Sequence, residues 1–256
     1  MLLIDTHCHL DAVEFDADRV AVAARALAKG VATIVVPAVE RANFDAVAEV
    51  CRAFPQCRPA YGIHPMVVAR AAPEDLDALR ETLRREPAVA VGEIGLDGFV
   101  EPRDDESQSS WYAAQLMVAR EFGLPVLLHV RRAVDNILKR LRRIEVPGGI
   151  AHAFNGSRQQ ADEFIKLGFK LGFGGAMTHP RATRLRELAA TLPLDAIVLE
   201  TDSPDIPPEW LGHGRNEPAE LPRIAAVLAE LRGMTVDEVV AATSANARRV
   251  LPKLSA

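Results

Sequence analysis

Two patterns of apolar and polar positions alternate along the chain. Short apolar runs are typical of buried parallel strands, and between them apolar residues recur every three or four positions, as in amphipathic helices. The predicted strands end near His9, Pro37, His64, Glu93, His129, His152, Gly174 and Thr201. The predicted helices span residues 19–29, 44–53, 74–85, 108–122, 133–143, 159–167 and 184–191, and a final pair, 220–232 and 236–251, follows the eighth strand.

This alternation amounts to eight βα units in one chain of 256 residues. A single (β/α)8 TIM barrel of the α/β class typically needs about 250 residues. We therefore predict one domain over residues 1–256, with an extra helix at the C-terminal end. The alternative is an open, doubly wound sheet, which draws its site from a few adjacent loops. The candidate site residues follow strands one, three, four, five, six and eight, and only a closed barrel brings them to one centre.

Composition and charge narrow the choice of partners. The chain is 49% hydrophobic and 25% charged, with a net charge of -5. This charge excludes a broadly basic nucleic-acid-binding surface, but it leaves open a nucleic acid held at one end by metal ions. There is no apolar run of 18 residues and no signal-like N-terminus, so we expect a cytoplasmic monomer without a membrane partner. The three cysteines predict reduced thiols, with a Cys51–Cys57 disulfide as the less favoured alternative.

The candidate metal ligands begin at the end of the first strand. His7 and His9 are two residues apart, so an extended chain turns both rings to one face and sends Cys8 into the barrel wall. A lone His-x-His is a weak signal for a metal site. The signal is strengthened because five of the seven histidines, together with one Glu and one Asp, recur at successive strand ends.

Glu93 closes the fourth strand between apolar neighbours. A carboxylate buried there is costly unless it forms a salt bridge or binds a metal, and its two oxygens suit a bridge between two cations. His129 and His152 each close an apolar strand, where a hydrogen-bonded core histidine is the ordinary interpretation. Their equivalent positions in consecutive units favour ligands instead. Asp202, after the eighth strand, lies further toward the same end of the barrel than Glu200.

Other residues near the strand ends are open to two interpretations. His64 precedes Pro65, and it is either a loop residue bonded to backbone or a contact to substrate. Gly172, Gly174 and Gly175 follow strand seven, where TIM barrels often bind phosphate. Tight packing is the favoured explanation, because no Gly-Lys-Ser/Thr follows to make a nucleotide-binding loop.

Taken together, these strand-end motifs resemble those of the TatD-like metal-dependent hydrolases, which are related to the amidohydrolases. The similarity runs from the first residues to Asn246-Ala247, in order. The motifs are Asp5-Thr6-His7-Cys8-His9-Leu10, Gly62-Ile63-His64-Pro65, Gly92-Glu93-Ile94-Gly95-Leu96-Asp97, His129-Val130-Arg131, His152-Ala153-Phe154-Asn155-Gly156-Ser157, Glu200-Thr201-Asp202-Ser203-Pro204 and Arg215-Asn216-Glu217-Pro218. The resemblance implies a TIM barrel with one or two divalent metals, and some members are Mg-dependent DNases with 3'-5' exonuclease activity.

The resemblance also implies a role for each matching residue. His7, His9 and Asp202 hold one metal, Glu93 is shared, and His129 and His152 complete a second site. We therefore expect two divalent ions, with Mg, Mn and Zn as the candidates. Asp202 and Glu93 are the expected catalytic residues, and Asp202 orients or deprotonates the water. The expected substrate contacts are His64, Arg131 and Asn155.

Three functions are compatible with such a centre. The first is deoxyribonuclease activity of the 3'-5' exonuclease type, with a metal-activated water and a DNA end as substrate. The second is amide or ester hydrolysis of a small molecule or aminoacyl group, because the same centre serves both chemistries. A non-catalytic metal-binding scaffold is the third. The chain departs from the common family pattern at Gly98-Phe99, Arg132, Ala153 and Asn155, which leaves the ligands intact and alters the rim.

Overall fold

The computed structural model describes residues 2–101 and 104–255 of the chain. Over these residues, eight parallel strands are hydrogen-bonded in sequence order, β1 to β8, which confirms the predicted barrel. Helices alternate with the strands around the outside. The strands are β1 Leu3–Asp5, β2 Val31–Pro37, β3 Cys57–Tyr61, β4 Ala90–Asp97, β5 Val126–Arg131, β6 Gly149–Ala151, β7 Phe169–Phe173 and β8 Ile197–Leu199.

The barrel is completed where β8 meets β1, beyond the ends of the regular strands. The Thr6 N–H donates to the Leu199 carbonyl at 3.1 Å, and the His9 N–H donates to the Ser203 carbonyl at 2.8 Å. A parallel bridge between Cys8 and Ser203 lies between these contacts. The sheet is therefore nearly closed, and the segments after β1 and β8 are held side by side.

The helices lie close to the segments predicted from the spacing of apolar residues. The largest difference is at the start of α4, three residues earlier than predicted, because Asp104 caps the helix by accepting the Ser107 N–H at 2.8 Å. The helices are α1 Arg19–Ala28, α2 Phe44–Ala53, α3 Glu74–Arg85, α4 Asp105–Phe122, α5 Val134–Leu141, α6 Arg158–Lys166, α7 Thr183–Thr191, α8 Leu221–Arg232 and α9 Val236–Val250.

Strand ends differ more from the prediction. β1 ends at Asp5 and β3 at Tyr61, whereas β4 continues to Asp97. Strand three stops early because Pro65 begins a 3-10 helix, for which the His64 ring accepts the Met66 N–H at 3.2 Å. Two of the expected ligands, His7 and His9, thus follow a strand rather than belong to it.

Apolar side chains fill the barrel toward the amino ends of its strands. Ala90, Leu127 and Ile150 occupy the first two positions of their strands and belong to one buried cluster. Helix α9 and the turn after it cover this opening, since their side chains join the same cluster. The cluster is completed by Ile4, Val35, Ala60, Val89, Val198, Ala247, Val250, Leu251 and Leu254. The predicted extra C-terminal helix therefore closes one end of the barrel.

The three cysteines form no disulfide among the residues that the structure describes. Cys8, Cys51 and Cys57 are all free, and Cys8 is fully buried, with the Ser203 hydroxyl donating to its sulfur at 3.1 Å. Cys8 thus packs in the wall of the barrel, as expected.

In the described part of the chain, none of the helices combines the length and apolar character needed to span a bilayer.

Candidate metal centre

The carboxyl ends of the strands surround a cleft of about 1920 Å³. Its floor carries histidine and carboxylate side chains delivered by six different strands or the turns after them. This convergence is what the closed barrel predicts. The side chains are His7 and His9 after β1, His64 after β3, Glu93 on β4, His129 on β5, His152 after β6 and Asp202 after β8.

Glu93 lies at the middle of this cluster and is 2% exposed. Its Oε2 is 3.0 Å from His7 Nε2 and 3.7 Å from His9 Nε2. Its Oε1 is 2.9 Å from His129 Nδ1 and 3.3 Å from His64 Nε2. Each oxygen therefore faces a different group of histidines, which is the arrangement that a carboxylate bridging two cations requires.

Asp202 faces three histidines from the turn after β8. Its Oδ1 lies 3.6 Å from His7 Nε2, 3.9 Å from His9 Nε2 and 3.7 Å from His152 Nε2. The backbone at Asp202 is left-handed, with φ of 58°, a conformation that Asp tolerates better than most residues. The Asp202 N–H donates to the His7 carbonyl at 2.8 Å, so the two ligand-bearing turns are joined directly.

Buried carboxylates hold two of the histidine rings from behind. His129 Nε2 is 2.9 Å from Asp97 Oδ2, and His152 Nδ1 is 3.2 Å from Glu200 Oε1. Both carboxylates are 1% exposed. Metal-binding histidines commonly engage a carboxylate or carbonyl through the other ring nitrogen, which fixes the tautomer and the ring orientation. Each of these rings presents its remaining nitrogen to the cluster.

The two histidines after β1, His7 and His9, have different surroundings at Nδ1. His9 Nδ1 is 3.2 Å from the Pro37 carbonyl, so its Nε2 faces the cluster. His7 Nδ1 is buried and has no hydrogen-bond partner among the residues the structure describes. Its Nε2, in contrast, lies near two carboxylates and His9 Nε2. The useful donor atom of His7 is therefore Nε2.

Gly172 explains how Glu200 fits behind the cluster. A Cβ at position 172 would lie 2.1 Å from Glu200 Oε2, so a larger residue would collide with the carboxylate. The other oxygen, Oε1, accepts the Ala153 N–H at 2.6 Å. The close approach of the Glu200 carboxylate to Gly172 supports tight packing, rather than a phosphate-binding loop, as the reason for this glycine.

The pKa shifts of the cluster reflect its closely packed histidines and carboxylates. Burial by itself lowers the pKa of His152, but the carboxylates of Asp202, Glu200 and Glu93 raise it to about 10. Burial raises the pKa of the Glu93 carboxyl, but the surrounding histidines hold it well below its usual range. Burial also raises the pKa of Asp202 to about 6. Protons on histidine neutralise the carboxylates here, and bound cations would take over that role.

The donor atoms fit divalent cations. Three sets of side chains could each hold an ion, because the ligand atoms within a set all lie within 4.8 Å of one another. His7 belongs to two of these sets, and so does Glu93. Nitrogen and carboxylate oxygen donors in this mixture suit Zn, Mn and related ions. The sets are His7 with His9 and Asp202, His7 with Glu93 and His152, and His64 with Glu93 and His129.

The three expected substrate contacts lie at different depths. His64 is 6% exposed and lies within the cluster, deeper than the rim position that its turn suggested. Arg131 is at the mouth of the cleft, with Nη1 3.7 Å from Asp97 Oδ2. Asn155 is also at the mouth, and its side-chain oxygen accepts a hydrogen bond from Arg184 at 2.8 Å.

Two functional residues, Asp97 and Glu200, were not predicted to hold the histidine rings, and Glu200 was only the next candidate for the base after Asp202. The signal for Asp97 was present, because residues 93, 95 and 97 of an extended strand share one face. Placing the end of the strand at Glu93 concealed it. For Glu200, the signal is the pairing of a buried acid with Gly172 on the next strand, which only the register of β7 and β8 reveals.

Comparisons with known proteins agree with this geometry. Residues 4–252 match the family model described as TatD related DNase. The chain is 42% identical to the "uncharacterized metal-dependent hydrolase YjjV" of Escherichia coli K12 over 93% of both chains. It is 34% identical to the "3'-5' ssDNA/RNA exonuclease TatD" of Klebsiella pneumoniae over 96% of both. The crystal structure of the E. coli YjjV protein superposes with a TM-score of 0.94 at 40% identity, covering 98% of each chain.

Proposed function

The chain belongs to the TatD-related DNase family and is a metal-dependent hydrolase, and on this premise we propose that it hydrolyses phosphodiester bonds at the ends of nucleic acids. The observation that carries the proposal is Glu93, whose two oxygens face two groups of histidines. Phosphoryl transfer is commonly catalysed by two cations that share a ligand. The relative named an exonuclease supports a DNA or RNA substrate.

His7, His9, Glu93, His129, His152 and Asp202 would hold two divalent cations in this proposal. When bound, such cations polarise a phosphoryl oxygen and lower the pKa of the attacking water. The outer carboxylates, Asp97 and Glu200, keep the rings of His129 and His152 oriented.

Asp202 is the group proposed to accept the proton of the attacking water. It is the carboxylate of the cluster with the most exposed side chain, at 14%, compared with 2% for Glu93. Glu200 is less suitable as a base, because it is buried behind His152 and already accepts the Ala153 N–H. General bases must reach the proton that they remove.

His64 is assigned a donor role. Its Nδ1 accepts the Met66 N–H at 3.2 Å, so the neutral ring carries its proton on Nε2. Burial lowers the pKa of His64, which favours that neutral form. The Nε2–H therefore points into the cluster, where it donates to Glu93 or to a substrate oxygen. Arg131 and Asn155, at the mouth, would contact the substrate outside the bond that is broken.

The test is a substrate screen on purified protein loaded with Mg²⁺ or Mn²⁺. It compares a single-stranded oligonucleotide and bis(p-nitrophenyl) phosphate with chromogenic esters and amides. We expect hydrolysis of the phosphodiesters, its loss in excess chelator, and its recovery when the metal is restored. Turnover of esters or amides alone would overturn the proposal in favour of the second hypothesis. Undiminished turnover in chelator, with metal absent by elemental analysis, would remove the metal from the mechanism.

A further inference from the structure

Two arginines and a phenylalanine form a cluster at the mouth of the cleft, at the end of β5 and on the turns after β4 and β5. The guanidinium carbons of Arg131 and Arg132 lie 4.2 Å and 3.6 Å from the centre of the Phe99 ring. Phe99 is 44% exposed, and both arginines are exposed. Such contacts hold a guanidinium by cation–π attraction while its N–H groups stay available. We refer to these three residues as the arginine–phenylalanine cluster.

The backbone holds this cluster in one arrangement. The Phe99 N–H donates to Asp97 Oδ1 at 2.7 Å, and the Gly98 N–H donates to the Arg131 carbonyl at 2.7 Å. A Cβ at Gly98 would lie 3.0 Å from the Arg132 carbonyl oxygen, so the two turns approach closely. Arg132 has a left-handed φ of 51°, which is unfavourable for Arg and persists only where its surroundings impose it.

The guanidinium donors of this cluster are largely unused, unlike those of other arginines around the cleft. In the parts of the chain that the structure describes, the Arg132 guanidinium has no hydrogen-bond or carboxylate partner. Arg131 Nη1 is 3.7 Å from Asp97 Oδ2, beyond a strong hydrogen bond. By contrast, Arg70 donates to both oxygens of Glu40, at 3.0 Å and 2.8 Å.

The cluster is directly connected to the candidate metal centre. Asp97 accepts the Phe99 N–H through one oxygen and contacts His129 Nε2 through the other, at 2.9 Å. Arg131 and Arg132 line the same cleft as Glu93 and His129. The chain as a whole has a net charge of -5, so two neighbouring guanidinium groups at this mouth, of which only Arg131 contacts a carboxylate, are a local exception.

We propose that the arginine–phenylalanine cluster binds a second phosphate of the substrate, next to the phosphate that is hydrolysed. A guanidinium matches two phosphate oxygens with parallel N–H bonds, and charge-assisted contacts of this kind are strong. The inference rests on the proposed phosphodiesterase function, and it adds that the preferred substrates carry more than one phosphate. Arg132 is the most informative residue, because Arg131 also neighbours Asp97 and hence His129.

The kinetic test uses matched dinucleotides. TpT contains one phosphodiester, and pTpT and TpTp each add one terminal phosphate. We expect the metal-loaded parent to prefer one of the phosphorylated forms over TpT in kcat/KM by about tenfold or more, the value of one charge-assisted contact. Arg132→Gln should abolish this preference, because it should lower kcat/KM for the phosphorylated form much more than for TpT. Arg70→Gln is the matched control, since it removes the same charge from the cleft at a guanidinium already bound to Glu40.

A binding experiment separates this inference from the proposed function. Isothermal titration of the metal-loaded protein compares thymidine 3',5'-bisphosphate with thymidine 5'-monophosphate, and neither contains a phosphodiester. Tighter binding of the bisphosphate that Arg132→Gln removes supports the second site even if TpT is never hydrolysed. Equal affinities in the parent, or equal losses for both ligands in Arg132→Gln, would overturn it. So would loss of TpT hydrolysis in a folded Arg132→Gln protein, because the arginine would then act on the scissile phosphate.

Discussion

The two ends of the barrel interior carry side chains of opposite character, apolar at one end and ionisable at the other. At the amino ends of the strands, Val250 and Leu254 of the C-terminal segment pack on apolar interior residues such as Leu127. At the carboxyl ends, the interior changes within a few residues to a cluster of histidines and carboxylates around Glu93. One end is covered and apolar, and the other is open and charged.

This difference separates stability from function. Burial of apolar surface at the covered end favours folding by roughly 25 cal/mol per Å². Buried charges at the open end cost free energy unless partners compensate them, so the histidines and carboxylates there serve the site more than they serve folding. We therefore expect substitutions at the open end to act mainly on activity and metal binding, and substitutions at the covered end to act mainly on stability.

The strongest test of this separation is Glu93→Gln. The substitution removes the charge that both proposed cation sites share, so we expect hydrolysis to fall by about 10³-fold or more, since metal ions supply several kcal/mol to such reactions. Metal content by elemental analysis should fall as well. In the parent, added Mn²⁺ should raise the Tm, because binding to the native state alone stabilises it. The variant should show no such increase. Equal metal content in both proteins would contradict the bridging role.

Asp202→Asn should separate chemistry from metal binding at the open end. The amide keeps the size and one oxygen but removes the proton acceptor. At saturating metal, with occupancy measured on the same sample, we expect kcat to fall by about 10²-fold or more and KM to change little. His64→Ala is the comparison, and it should alter KM more than Asp202→Asn does. A fully metallated Asp202→Asn protein with parental kcat would show that Asp202 is only a ligand.

Leu251→Ala tests the covered end. Leu251 is fully buried in the apolar cluster, so truncation should lower the free energy of unfolding by about 2–4 kcal/mol. Chemical denaturation measures this change, and kcat and metal content of the folded variant should match those of the parent. Leu27→Ala on α1 is the matched control, because that side chain is 55% exposed and its truncation should have little effect. A change in metal affinity in Leu251→Ala would show that the two ends are coupled.

The smallest effect is expected at the start of the helix that covers the apolar end. Thr235 caps α9 by accepting the Glu238 N–H, and Glu238 accepts the Thr235 N–H in return. Thr235→Ala should lower the free energy of unfolding by about 1 kcal/mol without changing hydrolysis. Thr191→Ala, at the last residue of α7, serves as a comparison outside any N-terminal cap. If the denaturation midpoint of Thr235→Ala equals that of the parent, this cap does not stabilise the covered end of the barrel.

Helices and strand order followed from the sequence because their signals are local. Apolar spacing placed α2 and α3 at the residues where the structure has them. The alternation of the two patterns was sufficient for the barrel, since parallel strands joined by helices have few ways to converge. The residue at which each strand ends was less predictable. β4 continues to Asp97 because its last residues pair with β5, a contact distant in sequence.

The candidate site shows the same limit. The residues brought to the cluster were predictable from their positions at strand ends, but their depth and orientation were not. His64 turns inward because its own ring nitrogen caps the next 3-10 helix. The Asp202 side chain does not follow the alternating directions of side chains along a strand, because the backbone at Asp202 is left-handed. Glu200 is accommodated only because the neighbouring strand carries Gly172. Each depends on a neighbour that is known only once the strands are in register.

The position of α9 at the covered end has a consequence for synthesis. Ile4 and Val35 leave the ribosome early, yet Val250 and Leu254, which cover them, emerge more than two hundred residues later. At about 5–20 residues per second, the growing chain carries an open apolar surface for ten seconds or more. Ribosome-bound chains stopped before α9 should therefore bind chaperones or aggregate, whereas chains extended past Leu254 and clear of the exit tunnel should resist protease. The order of translation thus makes the docking of α9 the step that covers the apolar end of the barrel.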